Sequence, residues 1–136
     1  MQEEQGSWTS LGLLIVRVGA GGMMLLGHGW SKLAGFADMA EHFPDPLGLG
    51  SSTLSLALAV FAEFFCAAAV VAGFATRFAA APLVVTMLVA AFVIHADDPW
   101  AKKELALLYV VPFIALIFTG AGKFSFDASS RFGFLR

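Results

Sequence analysis

Charge is scarce in this sequence. Only 13% of its 136 residues are Asp, Glu, Lys or Arg, which is about half the share found in soluble domains. Eight basic and ten acidic residues leave a formal net charge of −2, and no basic run is present that could neutralise nucleic-acid phosphates. These shortages argue against a soluble enzyme, and nucleic acid is not an expected partner.

Cysteine is almost as scarce. The single cysteine, Cys66, allows no intrachain disulfide, no CxxC redox pair and no thiolate-rich metal site. The sequence also lacks a haem-ligand motif and a flavin fingerprint. A redox role would therefore need electrons from a substrate or from a partner protein. We interpret Cys66 as a packing residue, because a thiol held away from water stays protonated and unreactive.

Apolar residues, by contrast, are abundant. They make up 59% of the chain, and the mean hydropathy is +0.82. A helix that crosses a membrane needs about 20 mostly apolar residues. Tryptophan, which favours the interface, lies near the boundaries of the apolar runs at positions 8, 30 and 100. The sequence therefore predicts an all-α fold: a single membrane domain that is a bundle of four transmembrane helices. The predicted spans are residues 11–30, 54–74, 78–94 and 105–119.

The connections predict the topology. The long connection, residues 33–53, contains a segment (ADMAEHF) that could form a short interfacial helix before two prolines. The N-terminus, MQEEQGSW, is acidic where a cleaved signal peptide needs basic residues. Four spans place both termini on one side. With the termini inside, four basic loop residues lie inside and three outside, which favours cytoplasmic termini in a bacterial inner membrane. The inner four are Arg77, Lys123, Arg131 and Arg136, and the outer three are Lys32, Lys102 and Lys103.

Ionisable residues inside the predicted spans or just beyond their ends form the candidate site. Such groups cost several kcal/mol in a bilayer and usually face the interior of a bundle. At about 100° per residue, three of them share one face of the first span, and each other span contributes at least one. We predict Glu63, His28, His95 and Glu104 as catalytic residues. We predict Arg17, Lys32 and Arg77 as substrate-binding residues.

Two arrangements follow from the estimated depths. Glu63 lies between the levels of Arg17 and His28, so we predict a buried charge pair between Arg17 and Glu63, either direct or through water or an intervening polar group. His28, Lys32, Glu63, His95 and Glu104 approach one surface, which predicts a pocket there. The simplest alternative is structural: the charges fix the helix register, and the histidines are hydrogen-bonded interfacial residues. A metal site is not predicted, because no HxxH or ExxH spacing is present.

Several segments resemble the DoxX family of membrane proteins. The first span, RVGAGGMMLLGHGWSKLAGF, is similar to that family's opening pattern of an arginine, a His-Gly pair and a lysine. The segment AEFFCAAAVVAGFATRFAA resembles its glutamate, glycine and Thr-Arg series. The later histidine and glutamate also fit, as does the ending TGAGKFSFD, although Ala121 and Lys123 stand where the family has proline and arginine. The resemblance covers essentially the whole chain.

The resemblance implies a four-helix membrane protein associated with redox chemistry. Some members resemble small subunits of thiosulfate:quinone oxidoreductase, others are linked to oxidative-stress or thiol-redox complexes, and distant members assist assembly. We therefore expect a quinone-binding redox protein, acting as an enzyme or as a subunit of one. Two alternatives remain open: a non-catalytic scaffold or chaperone for a redox partner, and a carrier of small solutes or protons. A homo-oligomer is compatible with each of them.

Overall fold

The computed structural model describes residues 2–129 of the chain. Every regular element in this range is helical, and the range contains no strand. The all-α fold class predicted from the sequence is therefore confirmed. Arg131 and Arg136, two of the charges used to predict the topology, lie outside the described residues.

Four long helices and two short ones make up the described chain. Three of the long helices contain a π-helical turn, in which one wider turn interrupts the α-helix. Helix α1 consists of Gln2–Met24, the π-turn Leu25–Gly29 and Trp30–Ala34. The short helix α2, Phe36–Met39, lies within the predicted long connection. Helix α3 consists of Ser52–Val60, the π-turn Phe61–Cys66 and Ala67–Ala72, and α4 of Thr76–Val89 and the π-turn Ala90–Ile94. Helix α5 is Trp100–Thr119 and the short α6 is Phe126–Ser129.

Three of these helices are long and apolar enough to cross a membrane. They are Gly6–Ala34, Ser52–Ala72 and Thr76–Ile94. Helix α5 contains 20 residues, but Lys102, Lys103 and Glu104 occupy its first turns, so its apolar part is shorter. The chain is thus a multi-pass membrane protein, with a fourth helix whose apolar part is shorter because its first turns are charged.

The core lies where the four long helices face each other. Met24, Leu83, Phe113 and Leu116 are among its fully or almost fully buried side chains, and they come from α1, α4 and α5. The outward faces carry large exposed apolar side chains, such as Phe118 at 76% exposure. A soluble protein rarely exposes so many of these side chains together, whereas lipid chains solvate them.

A tight turn connects α3 to α4 at the end of the bundle that also holds the N-terminus. Gly73 ends α3 with φ +73°, a left-handed conformation that glycine adopts without strain. A Cβ atom at this position would lie 2.3 Å from an Arg17 nitrogen and 2.5 Å from the Ser125 Cβ. The turn is therefore packed directly against α1 and the segment after α5. We call this end of the molecule the terminal end, and the opposite end the loop end.

Candidate functional site

Glu63 and Lys32 form an ion pair between α3 and α1. The Nζ atom of Lys32 donates to Oε2 of Glu63 at 2.5 Å. Glu63 is only 4% exposed, whereas 19% of the Lys32 side chain remains accessible. A carboxylate this deep needs a charged partner to offset the loss of hydration. Lys32 is that partner, so the predicted pairing of Glu63 with Arg17 is wrong.

Close contact between the α1 and α3 backbones sets this pairing. An added Cβ at Gly29 would lie 2.2 Å from the carbonyl oxygen of Glu63, so only glycine fits at this crossing. Gly21, eight residues earlier, lies against Ala67 and Val71, which fixes an antiparallel register. In this register Glu63 lies at the level of Gly29. Arg17 precedes Gly29 by twelve residues, which places it about 18 Å from that level at 1.5 Å per residue.

Arg17 instead stabilises the terminal end of the bundle. Its side chain is fully buried, and it donates to the carbonyl oxygens of Val70 at 3.3 Å, Val71 at 3.0 Å and Phe124 at 2.5 Å. The last carbonyls of a helix lack partners within the helix and attract a cation. Arg17 thus ties the end of α3 to the segment after α5, and it does not reach the predicted pocket.

Arg77 also lies at the terminal end. It is the second residue of α4 and lies beside Gly120, where an added Cβ would be 3.2 Å from the Arg77 Nε atom. This buried Nε has no hydrogen-bond partner among residues 2–129. The structure therefore does not bring Arg17 or Arg77, both predicted to bind substrate, to the loop end of the molecule.

A cavity of about 800 Å³ lies at the loop end and extends along α4. Its residues on α4 run from Phe78 to Ile94, a distance of about 24 Å, which is most of the roughly 30 Å thickness of a bilayer core. Its lining is mainly apolar. Four of the predicted site residues line it together, and we call them the polar cluster: His28, Lys32, Glu63 and His95.

Glu104 is not part of the polar cluster. The residues of α5 that line the cavity, Lys102, Leu105, Ala106 and Tyr109, recur at helical spacing on one face. Glu104 lies about 200° around the helix from Lys102 and is exposed. The prediction that Glu104 lines the pocket is therefore wrong, because α5 turns a different face toward the cavity, the one that carries Lys102, Leu105 and Tyr109.

Aromatic packing holds His28 within the cavity wall. The His28 ring meets the edge of Tyr109 at a centroid distance of 5.6 Å, and Tyr109 stacks on the buried Phe113 at 6.2 Å. Sequence reasoning missed Tyr109, because one tyrosine in an apolar run gives no signal beyond its hydroxyl. That hydroxyl adds a hydrogen-bonding group to the cavity beside the polar cluster.

His95 lies at the rim of the cavity, directly after the π-turn of α4. Its Nδ1 atom is 2.6 Å from Oδ2 of Asp98, and the same carboxylate oxygen is 3.5 Å from the Lys102 Nζ atom. The hydrogen bond with His95, and then the charge of Lys102, lower the pKa of Asp98 below its ordinary value. Asp98 therefore stays ionised and holds the imidazole in one orientation. The i, i+3 spacing of His95 and Asp98 is the signal that could have predicted this contact.

The loop after α2 closes the cavity at the loop end. Its apolar residues Phe43, Pro44, Pro46 and Leu47 line the cavity. Asp45 fixes this loop: Oδ1 accepts from Leu49 N at 3.0 Å and from Ser55 Oγ at 2.7 Å, and Oδ2 accepts from Gly50 N at 2.8 Å. These bonds, that of Ser55 above all, lower the pKa of Asp45. The loop is thus attached to the start of α3.

The π-turns of α1, α3 and α4 all occur next to the polar cluster. They contain His28, contain Glu63 and immediately precede His95, respectively. The amide of His95 accordingly donates to the carbonyl of Ala90, five residues earlier, at 2.9 Å. Single π-turns are rare and occur frequently at functional sites. Within residues 2–129, no group of three His, Cys, Asp or Glu side chains is placed to share a metal ion.

These features define a multi-pass helical membrane protein with a mainly apolar cavity that the polar cluster helps to line. The model of the DoxX family matches residues 12–96, and the chain belongs to the DoxX family. The chain is also 33% identical over 102 residues to a protein of Haemophilus influenzae described as an uncharacterized protein, an alignment that covers 72% of this chain and 68% of the relative. No solved structure matches the chain. The resemblance inferred from the sequence is confirmed.

Proposed function

We propose that this protein binds an isoprenoid quinone in the cavity and functions in the bacterial inner membrane as a redox enzyme or as a subunit of one. The observation that carries the proposal is a long, mainly apolar cavity whose lining also includes the polar cluster of His28, Lys32, Glu63 and His95. A ligand that fits it has an apolar tail and a compact head that exchanges hydrogen bonds, which describes an isoprenoid quinone.

The apolar wall of the cavity favours a ligand that arrives from the bilayer. Phe61, Phe78 and Val85 line the cavity and are also exposed on the outer face of the bundle. The cavity therefore opens sideways toward lipid, while the loop that holds Phe43 and Leu47 covers the end near water. A ligand dissolved in the membrane can enter without crossing that loop.

The polar cluster supplies the groups that a quinone head requires. Lys32 donates hydrogen bonds, His28 and His95 can donate or accept them, and Glu63 accepts them. When bound, a quinone supplies two-electron, two-proton chemistry. The residues of this chain orient the head through its oxygens, exclude water with the apolar wall, and hold or transfer protons at the imidazole nitrogens and the Glu63 carboxylate.

A partner protein completes the proposal. Because the chain has one cysteine and none of the motifs that hold haem or flavin, electrons would come from a partner or directly from a substrate. We infer cytoplasmic termini, which places the polar cluster toward the opposite side of the membrane. A homo-oligomer is compatible with this arrangement.

Quinone binding by the purified protein tests the proposal. We expect the detergent-solubilised wild type to bind a decyl-substituted benzoquinone, measured by quenching of tryptophan fluorescence. His28→Ala and His95→Ala should each weaken binding by about tenfold, because one hydrogen bond to the head is lost. Glu104→Gln is the matched control, since Glu104 is an exposed ionisable residue outside the cavity, and it should keep wild-type affinity.

Two results would contradict quinone binding. The first is a folded wild type that binds neither the benzoquinone nor a naphthoquinone analogue. The second is equal affinity of the wild type and of both histidine variants. If a partner protein then copurifies in fixed ratio without quinone, the scaffold function is the better description. If vesicles that contain the protein instead show a proton flux, the carrier function is the better description.

A further inference from the structure

His95 lies between the cavity and the water phase. It lines the cavity, and its Nδ1 atom is held by Asp98 at 2.6 Å. About a third of each side chain is accessible, 33% for His95 and 35% for Asp98. Asp98 itself does not line the cavity. The imidazole therefore has one ring nitrogen engaged on the water side, and only Nε2 remains for a ligand.

The two protonation states of His95 present different groups to that ligand. When the imidazole is neutral, an Nδ1–H bond to the carboxylate leaves Nε2 as an acceptor, which suits a hydroxyl. When it is protonated, Nε2–H becomes a donor, which suits a carbonyl oxygen.

We propose that His95 and Asp98 form a proton port through which the ligand head exchanges protons with water, and that Asp98 is its positioning residue. This inference rests on the proposed quinone site. A proton that leaves a bound hydroxyl moves to Nε2 of His95, while the Nδ1 proton passes along Asp98 to water; the reverse sequence delivers a proton. No electron moves in this step.

The other charged groups near His95 are already engaged. Lys102 lies 3.5 Å from the Asp98 carboxylate, and Lys32 is paired with Glu63. His28 packs against Tyr109. Among the described residues, Asp98 is thus the carboxylate that contacts the His95 ring directly. Asp97, its neighbour in sequence, is exposed and offers a control with the same change of charge.

The test compares the pH dependence of binding for two probes in three proteins. The probes are a decyl-substituted benzoquinone and its hydroquinone, the latter kept anaerobic, between about pH 5 and 8. In the wild type, benzoquinone affinity should fall and hydroquinone affinity should rise as the pH rises, because Nε2 changes from a donor to an acceptor. Asp98→Asn should move the midpoint of both curves, because the carboxylate that engages Nδ1 is removed. Asp97→Asn should leave both midpoints at the wild-type value.

A second measurement does not depend on any ligand. NMR of the imidazole nitrogens should show that neutral His95 in the wild type carries its proton on Nδ1. The proton port is overturned if that proton is on Nε2, if the wild type binds both probes without pH dependence, or if Asp98→Asn and the wild type share one midpoint. A wild type that binds no quinone at all refutes the proposed function and the port with it, and it is recognised before any variant is compared.

Discussion

Removing Lys32 should destabilise the protein more than removing Glu63, although both changes break the same ion pair. Lys32→Leu leaves Glu63, whose side chain is 6% accessible, with no cation beside it, which typically costs about 3–5 kcal/mol. Glu63→Leu leaves a lysine whose side chain is 19% accessible and can extend toward the rim. The second loss should be only about 1.5–3 kcal/mol, the value of one charged hydrogen bond.

Thermal unfolding in detergent, followed by circular dichroism, measures the difference. For a chain of this size each kcal/mol corresponds to a few degrees of Tm, so Lys32→Leu should lower the apparent Tm on the order of 10–20 °C. The double variant should be more stable than Lys32→Leu alone, because no charge is left buried. Glu104→Leu, which removes an exposed carboxylate, should change the Tm little.

Additivity would refute this reasoning. If the double variant loses the sum of the two single losses, the residues do not interact and the pairing is incorrect. If Glu63→Leu is the more damaging single change, the relative burial of the two groups does not control the energetics.

Two further predictions concern the surroundings of the cavity. Gly29→Ala should lower the free energy of unfolding by at least about 1–3 kcal/mol, because the new Cβ would meet the Glu63 carbonyl at 2.2 Å; Gly27→Ala, with no atom within 4 Å of its Cβ, should be neutral or slightly stabilising by denaturation. The pKa of Asp45 is lowered from its ordinary value of 3.8. The stability that the Asp45 carboxylate gives to the loop is therefore complete above pH 3.8 and is lost as the pH falls through the lowered pKa. Hydrogen exchange at the Leu49 and Gly50 amides should accelerate as the pH falls through that range. In Asp45→Ala it should already be fast at neutral pH. Equal exchange rates in the wild type and in Asp45→Ala at neutral pH would contradict the role of Asp45.

The sequence predicts the number and type of the long helices because its apolar runs are long and show no strand-like alternation. It also identifies four residues that line the cavity, since ionisable groups within or beside such runs turn inward. The partner of Glu63 could not be read in this way. Depths estimated from predicted helix ends carry errors of several residues, and the register depends on the close contact at Gly29, a backbone distance that composition does not reveal.

Contacts made by loops and aromatic residues were beyond sequence reasoning for a different reason. The loop around Phe43 lines the cavity only because Asp45 attaches it to α3, through bonds that depend on how the chain turns. Tyr109 reaches His28 across two helices that are distant in sequence. Glu104 was misplaced because the facing side of α5 depends on packing along its whole length. In each case the sequence does not reveal how one helix or loop packs against another.

The hydrogen bonds at the terminal end have a consequence for the order in which the chain can fold during synthesis. Arg17 belongs to the first helix synthesised, yet one of its carbonyl acceptors is on Phe124. Asp127 accepts hydrogen bonds from the amides of Ala75 and Thr76 at the start of α4. During synthesis, the buried guanidinium and the first amides of α4 therefore gain these partners only after residues 124 to 127 have been made. A chain that ends before Phe124 would lack these partners: Arg17 would keep only its two acceptors on α3, and the amides of Ala75 and Thr76 would lose the Asp127 carboxylate.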